Sequence, residues 1–303
     1  PSRSAAPRLV GREGEEEVSG PDISLVIGTY RPGGLELVFE SLAEQKGNFT
    51  WELVWADEIH KREKEAKRLA KKLDINLKFV KAPTHEVISN ADTYNAGLAA
   101  ARGHLVAVGS DFSYYPSNYL LESYTQDGGM FGFVTTACYL DHEASPDVTG
   151  EDLLKSPIKR FEDRLAFVSH WLNDHLGILS DIQYALGLIT APRHLVVEKA
   201  NGFDQERFRA GRGYSDHELN YRLSLMGFAF ALNLKQVLHR VARPHQDLKP
   251  PFLPKKAVRT NDQNRELRDE KFELLRTGRI AVDGHVGPMG DLAWKNKTLA
   301  FRG

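Results

Sequence analysis

An α/β fold built on a mostly parallel sheet flanked by helices is what this sequence predicts, and two patterns carry the expectation. Between Ile23 and Val108, short β-rich runs alternate with helical stretches, an order that implies right-handed crossovers between parallel strands. The runs also end in strand-breaking residues next to polar side chains, and in such sheets ligands bind beyond the C-terminal strand ends.

Taken in order, Ile23 to Ile27 reads as a strand, and Gly28-Thr29-Tyr30-Arg31-Pro32-Gly33-Gly34 breaks it before a helix over Leu35 to Gln45. Leu35, Val38, Phe39 and Leu42 share one face of that helix. Trp51 to Trp55 is a second strand ending at Ala56-Asp57-Glu58, followed by a helix from His60 to Lys72 whose alternating charges mark a solvated face. Leu77 to Val80 is a third strand, the alanine-rich stretch Ala91 to Arg102 a helix, and Leu105 to Val108 a fourth strand stopped by Gly109. Beyond it the pattern is less regular. Phe131 to Leu140 and Tyr184 to Ala191 read as strands, Phe161 to Leu176 as a helix with an apolar side, Asp216 to Met226 as a helix, and Phe228 to Leu234 as a strand leading toward His239. A proline-rich segment, Pro244 to Pro254, precedes a polar helix from Asp262 to Leu275 and a glycine-rich tail.

Composition sets the outer limits. The 303 residues are 41% hydrophobic and 27% charged, ordinary for a globular chain with a substantial core. The 40 Lys and Arg against 41 Asp and Glu give a formal charge of -1, so no bulk field draws the chain to nucleic acid, which is not an expected partner. The single cysteine, Cys138, excludes an internal disulfide and a cysteine zinc cluster, and reads as a buried small hydrophobe. It fits a reducing compartment, and the expected location is cytoplasmic. No apolar run approaches the roughly 18 residues that span a bilayer. Residues 1–21 read as a flexible leader, 22–245 as the main domain with halves at 22–119 and 120–245, and 246–303 as an extension packing on that domain or on a partner. A homo-oligomer is compatible with this organisation.

Three motifs stand in an order that suggests sugar transfer from a nucleotide donor: Gly28-Thr29-Tyr30 at the end of the first strand, Ser110-Asp111 at the end of the fourth, and Gly213-Tyr214-Ser215-Asp216-His217-Glu218 opening a helix. Residues Ile23 to Tyr119 resemble the nucleotide-binding half of GT-A fold glycosyltransferases of the large inverting family two, whose first strand ends in a Thr-Tyr turn. The resemblance places a base-reading Asp at Asp57, an Asn-x-Gly helix at Asn95-Ala96-Gly97, and the Asp-x-Asp motif on Gly109-Ser110-Asp111, where the last Asp survives. It continues at Asn201-Gly202-Phe203-Asp204, similar to the family's Gly-Gly-Phe-Asp turn, and at Ser215-Asp216-His217-Glu218-Leu219 with Arg222-Leu223, similar to its Glu-Asp-x-Glu-Leu and Arg-Leu helix. Ser215 stands where the family has Glu.

The resemblance implies a metal-dependent, inverting transferase that moves a sugar from a nucleotide-sugar, UDP-sugar above all, to an acceptor hydroxyl. A carboxylate suits a hard cation that neutralises the departing diphosphate, so Asp111 is the expected ligand of Mn2+ or Mg2+. The diphosphate, water and a late histidine complete the shell; the family often supplies that histidine after the last strand, here His239, with His245 as the rival. Asp216 is the expected general base, accepting the acceptor proton. Each has a structural alternative: Asp111 can cap its turn, and Ser215 or Asp216 can cap the helix. Thr29 and Tyr30 are expected against base or ribose, Asp57 against a pyrimidine N–H, Asn95 against ribose or phosphate, and Ser110 against the nucleotide-sugar. Trp171 and Glu218 are expected at the acceptor, although core packing explains Trp171 equally well. Two other functions remain open: a non-catalytic nucleotide-sugar-binding module or degenerate transferase, favoured by the loss of an Asp at Gly109, and a sugar nucleotidyltransferase, disfavoured because no glycine-rich phosphate loop with a basic signature follows the first strand.

Overall fold

The computed structural model of the chain describes residues 20–84, 90–127, 133–145, 147–160, 164–182, 185, 187–208, 214–242 and 261–277. Most of the expected leader, Gly213 of the helix-opening motif, His245, the proline-rich segment and the glycine-rich tail lie outside them.

A mixed sheet, mostly parallel, runs through the molecule. Its parallel half comprises β1 (Ile23–Thr29), β2 (Trp51–Asp57), β3 (Leu77–Lys81) and β4 (Leu105–Gly109), in the spatial order β3-β2-β1-β4. The crossovers are α1 (Leu35–Leu42), α2 (Glu63–Lys72) and α3 (Asn90–Ala100). The two-residue period of the strands sorts the core. Leu25 and Ile27 face α1 and α2 together with Leu53 and Trp55, while Val26 and Val54 face the opposite side with Ala91, Ala96 and Leu98 of α3. Phe39 of α1 meets Trp55 edge to face at 5.4 Å.

The other half is assembled from β5 (Ser113–Tyr114), β6 (Phe133–His142), β7 (Ile158–Arg160), β8 (Val168–Trp171), β9 (Leu176–Leu179), β10 (Ile189–Pro192) and β11 (Ala229–Val241), with α4 (Tyr119–Asp127), α5 (Gly150–Lys155) and α6 (Ser215–Leu225). The sheet continues β4-β10-β6-β11-β9-β8, β10 running antiparallel to both neighbours and β6 parallel to β11.

Two sequence expectations are corrected here. The helix expected over Phe161 to Leu176 is a short 3-10 turn, Arg164–Phe167, followed by the β8-β9 hairpin. Asn173 decides the matter, because its Oδ1 accepts from the backbone N–H of His175 at 2.9 Å and of Leu176 at 2.8 Å, closing a turn where a helix would have continued. The strand expected to end at Leu234 runs on to Val241 through a bulge between Asn233 and Val237, and Asn233 again holds the irregular backbone by accepting from the N–H of Lys235 at 3.0 Å. His239 therefore lies inside a strand rather than after one.

The polar helix near the end of the sequence is α7 (Asn261–Arg276), and it packs on α6. Phe272 stacks on Tyr221 at 4.0 Å, Arg268 covers the ring of Tyr214, and Lys271 is fully buried between two carboxylates, 2.6 Å from Glu218 and 2.5 Å from Asp204. Among the described residues no helix is long and apolar enough to cross a membrane.

Candidate active site

β1 and β4 are neighbours in parallel register, with Ile27 opposite Gly109, so the segments that follow them leave the sheet side by side. They open a cavity of about 340 Å³. Tyr30 and Arg31 line it from the first segment and Ser110 and Asp111 from the second; Tyr94 of α3, Gly187, Phe203, Ser215, Asp216 and Arg240 complete the walls. Four residues marked by the sequence, Tyr30, Ser110, Asp111 and Asp216, thus share one cleft.

Asp111 is almost fully buried and tightly held. Thr29 donates its hydroxyl to Oδ2 at 2.8 Å, and the Arg31 guanidinium grips both oxygens, Nε to Oδ2 at 3.0 Å and Nη2 to Oδ1. Thr29 is therefore a support for Asp111 rather than a wall of the cavity. Arg31 sits 4.8 Å from the Phe112 ring centre and 5.6 Å from that of Tyr30. Phe112 has a positive φ of 53°, and its ring packs against Gly33 and Gly34, whose own positive φ values of 86° and 75° let the chain turn into α1. The Thr-Tyr-Arg-Pro-Gly-Gly turn and the segment after β4 are thereby locked together.

The missing first Asp of the Asp-x-Asp motif has a steric cause. A Cβ at Gly109 would lie 2.6 Å from the Tyr115 hydroxyl and 3.0 Å from Ile27 and from Leu25. The Tyr115 hydroxyl fills that space, accepting from the Ser110 N–H at 2.8 Å and donating to the Ser110 carbonyl at 2.7 Å. Burial raises its pKa well above the usual phenol value, so it keeps the proton that it donates to the Ser110 carbonyl. Replacing Gly109 by Ala is expected to destabilise the chain by about 1–3 kcal/mol through overpacking, measured from urea unfolding.

Asp216 stands in the first turn of α6 and accepts from the Gly187 N–H at 3.1 Å. The N-cap is Tyr214, at φ 68° and without a side-chain cap bond, so neither Ser215 nor Asp216 occupies the capping position. Tyr94 packs its ring over Gly28, where a Cβ would meet it at 3.2 Å, and donates its hydroxyl to the Gly109 carbonyl at 2.8 Å. Burial, reinforced by Asp111, pushes the Tyr94 hydroxyl above its ordinary pKa, so it is a fixed neutral donor in the floor.

Besides Thr29, five expected site residues are placed differently. Asp57 is fully buried and turned inward: it accepts from Trp55 Nε1 at 3.0 Å, the Ile59 N–H at 2.7 Å and Arg62 Nη2 at 2.9 Å. Its carboxylate braces the β2 end against Arg62, which also donates to the Gly33 carbonyl. Asn95 clamps the backbone of Phe203, donating to its carbonyl and accepting from its N–H, both at 2.8 Å, so it positions a wall residue from behind. Glu218 has no exposed surface, and Arg222 and Lys271 satisfy its carboxylate. Trp171 is 43% exposed on β8, the outermost strand on its side of the sheet and several strands removed from β4. His239 is bonded through Nδ1 to Nε2 of His142 at 2.9 Å and packs against Tyr114; burial and then His142 lower its pKa to about 4. The next residue along β11, Arg240, lines the cavity instead, as strand alternation requires.

The expected Mn2+ or Mg2+ is poorly matched by this donor set. Asp111 is the one carboxylate at the β4 end, both of its oxygens are engaged by Arg31 and Thr29, Tyr115 occupies the space of a second Asp, and His239 pairs with His142. Among the described residues no group of three His, Cys, Asp or Glu side chains comes together to hold a metal.

No protein-family model matches this sequence, and no curated protein matches it significantly. Solved structures do. S. aureus TarS 1-349 aligns with a TM-score of 0.50 and 14% identity over 73% of this chain and 60% of that one. The same fragment in complex with UDP gives 0.53 and 16% over 74% and 61%, and a longer S. aureus TarS structure gives 0.50 and 16% over 74% and 37%. The present chain spans less than two thirds of each of them. At this identity the likeness concerns architecture, and it shows that the chain has the GT-A glycosyltransferase fold.

Proposed function

We propose that the protein transfers a sugar from a nucleotide-sugar, with a UDP-sugar favoured, to an acceptor hydroxyl, with inversion at the anomeric carbon. The observation that carries this reading is the convergence of Asp216 with Tyr30, Ser110 and Asp111 on one cavity at the C-terminal ends of β1 and β4 in a GT-A fold. The UDP preference draws support from the UDP complex among the similar structures, since Asp57 is spent on Arg62 and Trp55.

In this mechanism Asp216 accepts the proton of the acceptor hydroxyl. The acceptor oxygen forms a bond to the anomeric carbon as the bond from that carbon to the diphosphate oxygen breaks, and the nucleoside diphosphate leaves with the electron pair. Attack from the face opposite the leaving group inverts the configuration. The Gly187 N–H fixes one oxygen of Asp216, a prerequisite for a positioned base. Phe203 and Tyr94, whose rings lie 5.5 Å apart, give the cleft an aromatic wall suited to a sugar or base face.

A panel of UDP-, GDP- and CMP-sugars, scored for nucleotide release, tests the reading. Release of UDP from a UDP-sugar is the expected result. Binding without release of any nucleotide would favour a non-catalytic nucleotide-sugar-binding module, and neither binding nor release would reject the donor assignment.

A further inference from the structure

We propose that Arg31 is the group that meets the donor's diphosphate, its guanidinium supplying the positive charge that a divalent cation would supply in a site with two carboxylates. The inference rests on the nucleotide-sugar reading and specifies how this chain satisfies it.

Four observations converge. Arg31 lines the cavity beside Asp111 and directly follows the Thr-Tyr turn. Its guanidinium is fixed in plane by the two-pronged contact with Asp111 and by the flanking rings of Phe112 and Tyr30, so its direction is set before a ligand arrives. Of the five N–H groups a guanidinium carries, this contact uses the one on Nε and one of the two on Nη2; among the described residues Nη1 makes no hydrogen bond. Donors arranged in a planar fork match two phosphate oxygens. Finally, the carboxylate pair that would hold a metal is precluded by the packing of Tyr115 on Gly109.

Asp111 is then a positioning residue. Burial by itself would weaken the charge of Arg31, yet Asp111 outweighs it and holds the guanidinium pKa above its ordinary value, so the cation persists in the cleft. A second guanidinium, Arg240 of β11, lines the same cavity and is held in the same way, by its Nε ion pair of 2.9 Å with Asp141 and by the Tyr139 ring at 3.9 Å, so the two arginines together offer the diphosphate further N–H donors.

Calorimetric titration with UDP and with uridine, in EDTA and separately in Mg2+ or Mn2+, tests the proposal on the full chain. Wild-type UDP affinity is expected to agree within about twofold with and without metal, and to fall as salt rises. Arg31→Gln is expected to lose at least about tenfold in UDP affinity, the scale of a charge-assisted hydrogen bond, while uridine binding is retained. Asp111→Asn should weaken UDP binding in EDTA as well, because it releases Arg31; a metal ligand would show no effect there. Should Arg31→Gln fail to fold, this Asp111→Asn comparison still decides. UDP binding that EDTA abolishes, or an Arg31→Gln protein that binds UDP like the wild type, would overturn the proposal while leaving sugar transfer intact. Failure of the wild type to bind any nucleotide would overturn both.

Discussion

Asp216→Asn is expected to lower sugar transfer at least about a hundredfold, the lower end for loss of a positioned general base, with UDP affinity nearly unchanged. The amide keeps the size of the side chain, and its oxygen can still accept from the Gly187 N–H. The N-cap is Tyr214, so the substitution leaves the helix start alone and separates chemistry from folding. Single-turnover rates with a donor identified by nucleotide release, together with UDP calorimetry, check it. A folded Asp216→Asn protein with wild-type turnover would remove Asp216 from the mechanism.

Lys271→Met is expected to destabilise the protein by about 3 kcal/mol or more, because it strips a cation from two buried carboxylates. Lys271 lies between Glu218 on α6 and Asp204 in the turn that carries Phe203. Glu218 retains Arg222, which donates to it at 2.7 Å and 2.8 Å, whereas Asp204 is left with Arg207, at 4.0 Å, and the longer-range charge of Arg222. Burial tends to raise the Asp204 pKa, but Lys271 and the backbone N–H bonds overcome it and hold the carboxyl below its ordinary value. A depressed carboxylate pKa contributes stability that is present at neutral pH and lost as pH falls through the folded value, below the usual carboxylate range. Without Lys271 that loss should begin at higher pH. Urea unfolding at pH 7 and acid titration read both effects, and Asp204→Asn added to Lys271→Met should recover part of the stability, since the orphaned charge is then gone.

These effects show which parts of the molecule were legible in the sequence. The parallel half was, because β1, β2 and β4 are short, almost uniformly buried runs punctuated by glycine and polar turns, and α1 carries its apolar residues at helical spacing. The second half was harder because local pattern competes with long-range pairing. The hydrophobic residues between Phe161 and Leu176 suit a helix by periodicity, yet Asn173-Asp174 is a turn signal and the β8-β9 hairpin follows it. The polar Asn233 to Gln236 stretch resembles a strand end, yet it is a bulge whose Gln236 is buried and donates to the Ser123 hydroxyl.

The site divides along the same line. Asp111 and Asp216 come together because strand ends and a helix start are readable from sequence. Arg31, Tyr94 and Arg240 went unmarked, although Arg31 adjoins the Thr-Tyr turn and Tyr94 immediately precedes Asn95. Asp57, Asn95 and Glu218 were marked for carrying the right polar atoms at the right places. Only three-dimensional structure reveals that Arg62, the Phe203 backbone and Lys271 consume those atoms. The C-terminal helix contributes Lys271 from more than fifty residues beyond Glu218, a separation at which the sequence pattern says nothing about pairing.

The central claim, single displacement in the cleft between Asp111 and Asp216, is tested most directly by the stereochemistry of transfer. With a UDP-sugar that the protein consumes, proton NMR of the first-formed product, taken before mutarotation when water is the acceptor, reports the new anomeric configuration. The account predicts the configuration opposite to that of the donor, because one base faces the acceptor. A product that keeps the donor's configuration would contradict it.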